Sequence, residues 1–173
     1  QVRSAMERSR EWKLAGDQLR ITERIAVETA KQVFTETDIA RNSVSVNALG
    51  WKAFLERGLA KDAPVLMIGA GQTHANIARY LVKQGHTAVR VLNRTEDKAR
   101  DLAEPRGWEW GGLDQLHDSL AAGPAAIFLC TGSESPVLGD AEAALLPEGR
   151  TFLLDLSVPT GVSPALRNRP DLD

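Results

Sequence analysis

Val65-Leu66-Met67-Ile68-Gly69-Ala70-Gly71-Gln72-Thr73-His74 decides the fold of this chain. Four apolar residues run straight into a glycine, as a strand buried on both faces of a parallel sheet does. From residue 72 to 84, Ile77, Ala78, Leu81 and Val82 make one stripe at helical spacing, and Gly85 closes the segment as a helix C-cap glycine does. Gly69-Ala70-Gly71 therefore lies at a strand–turn–helix junction, where a dinucleotide fingerprint has to sit. Gly69 permits the tight turn, and Gly71 lets the backbone approach a pyrophosphate resting on the helix N-terminus, with Gln72 and Thr73 in its first turn. The third small residue of the usual pattern is His74 here, which puts the helix–strand packing and the pyrophosphate geometry in question. A plain tight turn is the competing reading.

The same alternation continues downstream. Residues 88–92 read as a second strand and 95–103 as a second helix, with Thr95 as its N-cap. Trp108 and Trp110 alternate as in a short strand, and 113–120 reads as a helix. Residues 125–130 and 151–155 are strands, separated by a short helix at 141–146. Strands alternating with helices at this spacing give an α/β fold, a Rossmann-type doubly wound parallel sheet.

The end of the second strand selects the cofactor. A site for NAD places Asp or Glu there to bond the ribose 2′-OH. Here the strand ends Leu92-Asn93-Arg94-Thr95, with Lys98 one turn on, and no carboxylate stands at its end. Arg94 and Lys98 suit a 2′-phosphate, Thr95 adds a hydroxyl, and Arg94 can stack on adenine, so the expected cofactor is NADPH. Two surface cations at a solvated helix start are the alternative. Cys130-Thr131-Gly132-Ser133 follows the next strand, which places Thr131 and Gly132 near the nicotinamide end. Cys130 reads as structural, because it ends an apolar strand and nothing near it in sequence lowers its pKa. Asp155-Leu156-Ser157-Val158-Pro159 follows the last strand and is placed to close the nicotinamide pocket.

The region before residue 60 has another character. It contains no Pro, and Ile21, Ile25, Val33 and Phe34 recur at helical spacing up to a break at Thr35-Glu36-Thr37-Asp38. A further helical pattern runs over 43–57, with Val46, Leu49, Trp51, Phe54 and Leu55, and stops at Gly58. Arg3, Arg8, Arg10 and Lys13 form a cationic helix face of the kind that is usually only solvated.

Composition excludes several classes. A hydrophobic fraction of 43% with 25% charged residues is that of an ordinary globular protein. A net charge of −2 gives no sign of a strongly basic face for nucleic acid, although it leaves room for a local basic patch. Nothing in the sequence reads as a signal peptide, and no apolar run approaches the ~20 residues of a membrane span. One cysteine makes neither an intramolecular disulfide nor a cysteine metal cluster, and three scattered histidines make no metal site. A reducing, cytoplasmic setting is expected. The chain starts on Gln1 and is expected to be a piece of a longer protein.

These motifs together resemble the glutamyl-tRNA reductases. Gln1-Val2-Arg3 matches a segment late in that family's catalytic domain, and Thr35-Glu36-Thr37-Asp38-Ile39 with Ser43-Val44-Ser45-Val46 is similar to the run before its long linking helix. Ile68-Gly69-Ala70-Gly71, Asn93-Arg94-Thr95 and Asp155-Leu156-Ser157-Val158-Pro159 follow in order and spacing. The resemblance implies three parts: residues 1–42 as the helical end of a catalytic domain, 43–60 as a linking helix, and 61–173 as an NADPH-binding Rossmann domain. It implies a cofactor site of Gly69, Ala70, Gly71, Gln72, Thr73, Asn93, Arg94, Thr95, Lys98, Thr131 and Gly132. It also implies a reaction in which a cysteine attacks the ester of glutamyl-tRNA, and hydride from NADPH then releases glutamate-1-semialdehyde. That cysteine belongs to a region before residue 1, so no residue here is catalytic and the fragment by itself is expected to be inactive. Implied partners are glutamyl-tRNA, a second copy in a full-length homodimer, and glutamate-1-semialdehyde aminomutase. Two alternatives stay open. A shikimate dehydrogenase relative also suits Asn93-Arg94-Thr95 and Lys98, although such enzymes place an α/β substrate domain before the glycine turn. A non-catalytic nucleotide-binding module is the other.

Overall fold

A computed structural model of the chain describes residues 2–37, 46–146 and 151–167. The resemblance-bearing residues Gln1, Asp38, Ile39 and Ser43 to Ser45, and the polar end at 168–173, lie outside the described residues. The side chain of Arg3, part of the expected cationic face, also lies outside them. Contacts divide the chain into two compact units, residues 1–44 and 45–173.

The first unit is a pair of helices, α1 (Val2–Glu11) and α2 (Asp17–Glu36). Lys13 at φ 57 and Gly16 break what the sequence suggested was one continuous helical region. An ion pair between Arg10 and Glu23 joins the two helices. α2 buries none of its residues, and Ile25 and Phe34 of its apolar stripe are 54% and 59% exposed.

The second unit begins with α3 (Val46–Glu56) and continues through β1 (Val65–Ile68), α4 (Gln72–Gln84), β2 (Val89–Leu92), α5 (Glu96–Ala103), β3 (Glu109–Gly111), α6 (Leu116–Ala121), β4 (Ala126–Leu129), α7 (Asp140–Leu145), β5 (Phe152–Asp155) and α8 (Pro164–Arg167). The five strands are all parallel, in the order β3-β2-β1-β4-β5. The chain leaves β1 in one direction to β2 and β3, then returns to place β4 on the other side of β1. Right-handed crossovers put helices on opposite faces for the two directions, and the core divides accordingly. Val65 and Met67 of β1 face the cluster of Ile77 and Leu81 (α4) and Leu102 (α5), whereas Leu66 and Ile68 face Leu116, Leu120, Ala143 and Leu166 of α6, α7 and α8. β1 and β4 are buried at every position, which is why they read as unbroken apolar runs.

α3 belongs to this core. Phe54 is 2% exposed, with its ring 5.1 Å from Phe128 and 5.8 Å from Phe152. Gly50 lets the helix lie close to β5, since a Cβ there would stand 2.5 Å from Leu154 Cδ2. His86 packs on Phe54 at 5.4 Å, and burial, with the Lys61 charge second, lowers its pKa.

Candidate nucleotide cleft

The strand order reverses between β1 and β4, and in a doubly wound sheet the crevice at the carboxyl ends of that pair is where ligands bind. Gly69 follows β1 and Cys130 follows β4, and the two come into close contact. Gly69 has φ +111, and a Cβ on it would stand 2.2 Å from the Cys130 carbonyl oxygen, so only glycine fits. Gly71, with φ −86, is the N-cap residue of α4, and nothing lies within 4 Å of where its Cβ would be. The open space at Gly71 faces the first turn of a 13-residue helix, whose unpaired amides and dipole favour an anion.

His74 resolves the departure from the glycine pattern. Its side chain is fully buried, and Nδ1 lies 2.6 Å from the Gly69 carbonyl oxygen. A carbonyl only accepts, so Nδ1 carries the proton and donates. Burial lowers the His74 pKa to about 4, against smaller upward pulls from the Gly69 and Phe128 backbones. The ring is therefore neutral at pH 7, and its Nε2 has no partner of hydrogen-bond geometry among the described residues.

A cleft of about 300 Å³ opens over this turn. Gly69, Ala70 and Gly71 line one side, Asn93, Arg94, Thr95 and Lys98 a second, and Thr131 and Gly132 a third. The structure thus brings together nine of the eleven residues expected at the site. The other two stand beside it. Gln72 is exposed, 3.5 Å from Asn76, and Thr73 is half-buried in the same first turn of α4. Arg94 and Lys98 are exposed, and neither joins an ion pair among the described residues. Thr95 occupies the N-cap position of α5, as expected, but its side chain makes no capping bond; its carbonyl instead accepts from Asn93 Nδ2 at 2.8 Å.

The run from Asp155 to Pro159, expected to close the pocket, bonds to the third side through Ser157 and is itself held by Asp155. The Thr131 N–H donates to Ser157 Oγ at 3.1 Å. Asp155 Oδ1 accepts from the Ser157 N–H at 2.9 Å, and Oδ2 accepts from the Thr160 hydroxyl and the Gly161 N–H, both at 2.8 Å. Burial would raise the Asp155 pKa, but the bonds from Ser157, Thr160 and Gly161 together outweigh it and hold the carboxyl below its ordinary value. Asp155 thus binds its own loop, which contains a cis Val158–Pro159 bond. A carboxylate closing an apolar strand, followed by Ser and Thr within five positions, is the sequence signal for such a loop.

Cys130 also lines the cleft. Burial raises the Cys130 pKa above its ordinary value, with Thr73 pulling weakly down and Asp155 pushing up, and Sγ donates to the Leu156 carbonyl at 3.6 Å. No group of metal-ligating side chains occurs among the described residues. No helix among them is long and apolar enough to cross a membrane. A larger cleft of about 420 Å³ lies at the amino ends of β1 and β2, but its charged side chains, Arg90 and Glu109, neutralise each other at 2.6 Å. The smaller cleft is where free cations, helix amides and the switch point coincide.

Comparison with known proteins fits this geometry. Residues 53–173 match the family model described as shikimate / quinate 5-dehydrogenase. Over the whole chain the similarity is to glutamyl-tRNA reductases. That of Methanopyrus kandleri is 31% identical over 179 residues, covering 100% of this chain and 44% of the relative. That of Bacillus pumilus is 35% identical over 174 residues, covering 96% and 37%. The chain thus spans less than half the length of these curated relatives. The solved structure of the Methanopyrus kandleri reductase superposes with a TM-score of 0.65 at 28% identity, covering 100% of this chain and 45% of that one. The nucleotide-binding domain of the Thermoplasma volcanium reductase shares the fold, with a TM-score of 0.56 at 18% identity, covering 76% and 86%.

Proposed function

The chain belongs to the shikimate / quinate 5-dehydrogenase family over residues 53–173, and from that premise we propose that it is the NADPH-binding portion of a glutamyl-tRNA reductase. The observation that carries the reading is the meeting, in one cleft, of the Gly69-Ala70-Gly71 turn with Arg94 and Lys98 at the end of the neighbouring strand.

The residues fit the cofactor. The α4 N-terminus and the space beside Gly71 take the pyrophosphate. Arg94, with Lys98 and the Thr95 hydroxyl, would hold the 2′-phosphate, and Asn93 braces their loop through Thr95. Thr131 and Gly132 border the nicotinamide end, with Thr131 held by Ser157. When bound, NADPH supplies a hydride to a substrate carbonyl carbon. The chain's own residues bind and orient; none is placed as acid, base or nucleophile. Cys130, with its thiol pKa raised by burial, is not the acyl acceptor.

The likeness to the reductases supports the rest of the reading. Residues 1–42 are the helical end of a catalytic domain, 43–60 a linking helix and 61–173 the cofactor domain. The full-length protein reduces glutamyl-tRNA to glutamate-1-semialdehyde with a cysteine from outside this chain, which alone is inactive. It works as a cytoplasmic homodimer, with glutamate-1-semialdehyde aminomutase as a partner. A shikimate or quinate dehydrogenase is the second reading, favoured by the family description. The helices at residues 2–36 and the whole-chain match weigh toward the reductase. Assay of the complete protein separates the two. NADPH-dependent conversion of glutamyl-tRNA to the semialdehyde is expected, whereas oxidation of shikimate or quinate with NADP and no action on glutamyl-tRNA would overturn the proposal.

A further inference from the structure

We infer that His74 is a positioning residue: its imidazole, standing where dinucleotide-binding turns carry a small residue, clamps the Gly69 carbonyl and thereby aims the next amide at the pyrophosphate. The inference rests on the nucleotide reading of the same cleft.

Gly69 needs a clamp because it has the freedom of glycine at φ +111. The Cys130 carbonyl blocks one side, 2.2 Å from where a Cβ would stand, and His74 Nδ1 lies 3.3 Å from that point. The bond from Nδ1–H to the Gly69 oxygen, at 2.6 Å, then fixes the plane of the peptide that follows. In a planar trans peptide the carbonyl and the next N–H point in opposite directions. Holding the Gly69 carbonyl toward a buried ring therefore sends the Ala70 N–H the other way. Ala70 lines the cleft, and its N–H has no backbone partner among the described residues. A preorganised donor binds more tightly than one that must be ordered on binding.

The other ring nitrogen supports a positional role over simple packing. Among the described residues no partner of hydrogen-bond geometry meets the buried His74 Nε2, which is a cost that leucine in the same space does not carry. What distinguishes the histidine is its Nδ1–H. Asparagine places a donor on the same atom of the side chain and should reproduce the clamp.

The test compares the chain with His74→Leu and His74→Asn, titrating each with NADPH and with adenosine 2′-monophosphate well below its melting temperature. Adenosine 2′-monophosphate reaches the Arg94 end but has no pyrophosphate. His74→Leu should weaken NADPH about tenfold, the scale of one lost hydrogen bond, and leave adenosine 2′-monophosphate within about twofold. His74→Asn should recover most of the NADPH affinity. Equal NADPH binding by wild type and His74→Leu, equal loss of both ligands, or no recovery in a folded His74→Asn protein would overturn the inference while leaving the cofactor reading intact. A wild-type chain that binds neither ligand overturns both. Should His74→Leu fail to fold, nitrogen-15 NMR of the wild type decides. The Nδ1–H tautomer and an Ala70 amide shifted by NADPH support the clamp, and the Nε2–H tautomer or an indifferent Ala70 amide refutes it.

Discussion

Substituting the two glycines of the turn should separate folding from binding. In Gly69→Ala the new methyl would stand 2.2 Å from the Cys130 carbonyl oxygen, on a backbone at φ +111. Holding alanine in such a conformation costs about 1–3 kcal/mol, and relieving the overlap costs about 1–3 kcal/mol more. The sum, about 2–6 kcal/mol, is a large part of an ordinary domain's stability of about 5–15 kcal/mol. With a urea dependence of about 2 kcal/mol per molar, the unfolding midpoint should fall by about 1–3 M. Gly71→Ala should behave differently. Its φ is −86 and nothing lies within 4 Å of the added carbon. A poorer N-cap and a stiffer unfolded chain nearly offset, leaving stability within about 1 kcal/mol of wild type. The methyl would, however, occupy the space assigned to the pyrophosphate, and NADPH affinity should fall by about tenfold or more. Urea unfolding followed by tryptophan fluorescence, with nucleotide titration of each folded variant, reads both effects. A Gly69→Ala protein as stable as wild type, or a Gly71→Ala protein that binds NADPH normally, would refute the reasoning.

Phe54→Ala removes a ring 2% exposed that joins α3 to Phe128 and Phe152, and should cost about 3–5 kcal/mol in chemical unfolding. Asp155, whose pKa is held below 3.8, contributes stability that is fully present above that value and is lost as pH falls through the folded pKa. Asp155→Asn should therefore cost about 1 kcal/mol at pH 7, with the gap to wild type closing in strong acid. For His74 the folded pKa of about 4 lies below the ordinary 6.5, so the unfolded chain takes the proton first. Stability should be full above pH 6.5 and decline toward pH 4 by about 3 kcal/mol, a decline absent from His74→Asn.

The strands were legible because burial on both faces leaves an unmistakable pattern. Val65 to Ile68 and Ala126 to Leu129 are apolar at every position, and both faces of the sheet are covered. The break at Lys13 to Gly16 was not read, since a left-handed lysine leaves no mark in a helical pattern and Gly16 alone is a weak stop. The stripe on α2 was legible as helix but not as exposed, because periodicity reports which residues share a face and not what covers it. At the cleft, residues adjacent to strand ends could be found from position alone. His74 and the run from Asp155 to Pro159 stood out by position, but what they do did not, because it depends on which backbone groups they bond: Gly69 for His74, Thr131 for Ser157 and Gly161 for Asp155. Thr95 sits at the N-cap position without capping, since Asn93 reaches its carbonyl and the hydroxyl makes no bond to the helix.

Calorimetric titration of the chain with NADPH and, separately, NADH, repeated with Arg94→Ala, tests the cofactor reading most directly. NADPH should bind more tightly than NADH by about tenfold or more, the worth of charged hydrogen bonds to the 2′-phosphate, and the preference should vanish in Arg94→Ala with NADH affinity little changed. Equal binding of the two nucleotides by the wild type, or a preference that survives the loss of Arg94, would contradict it.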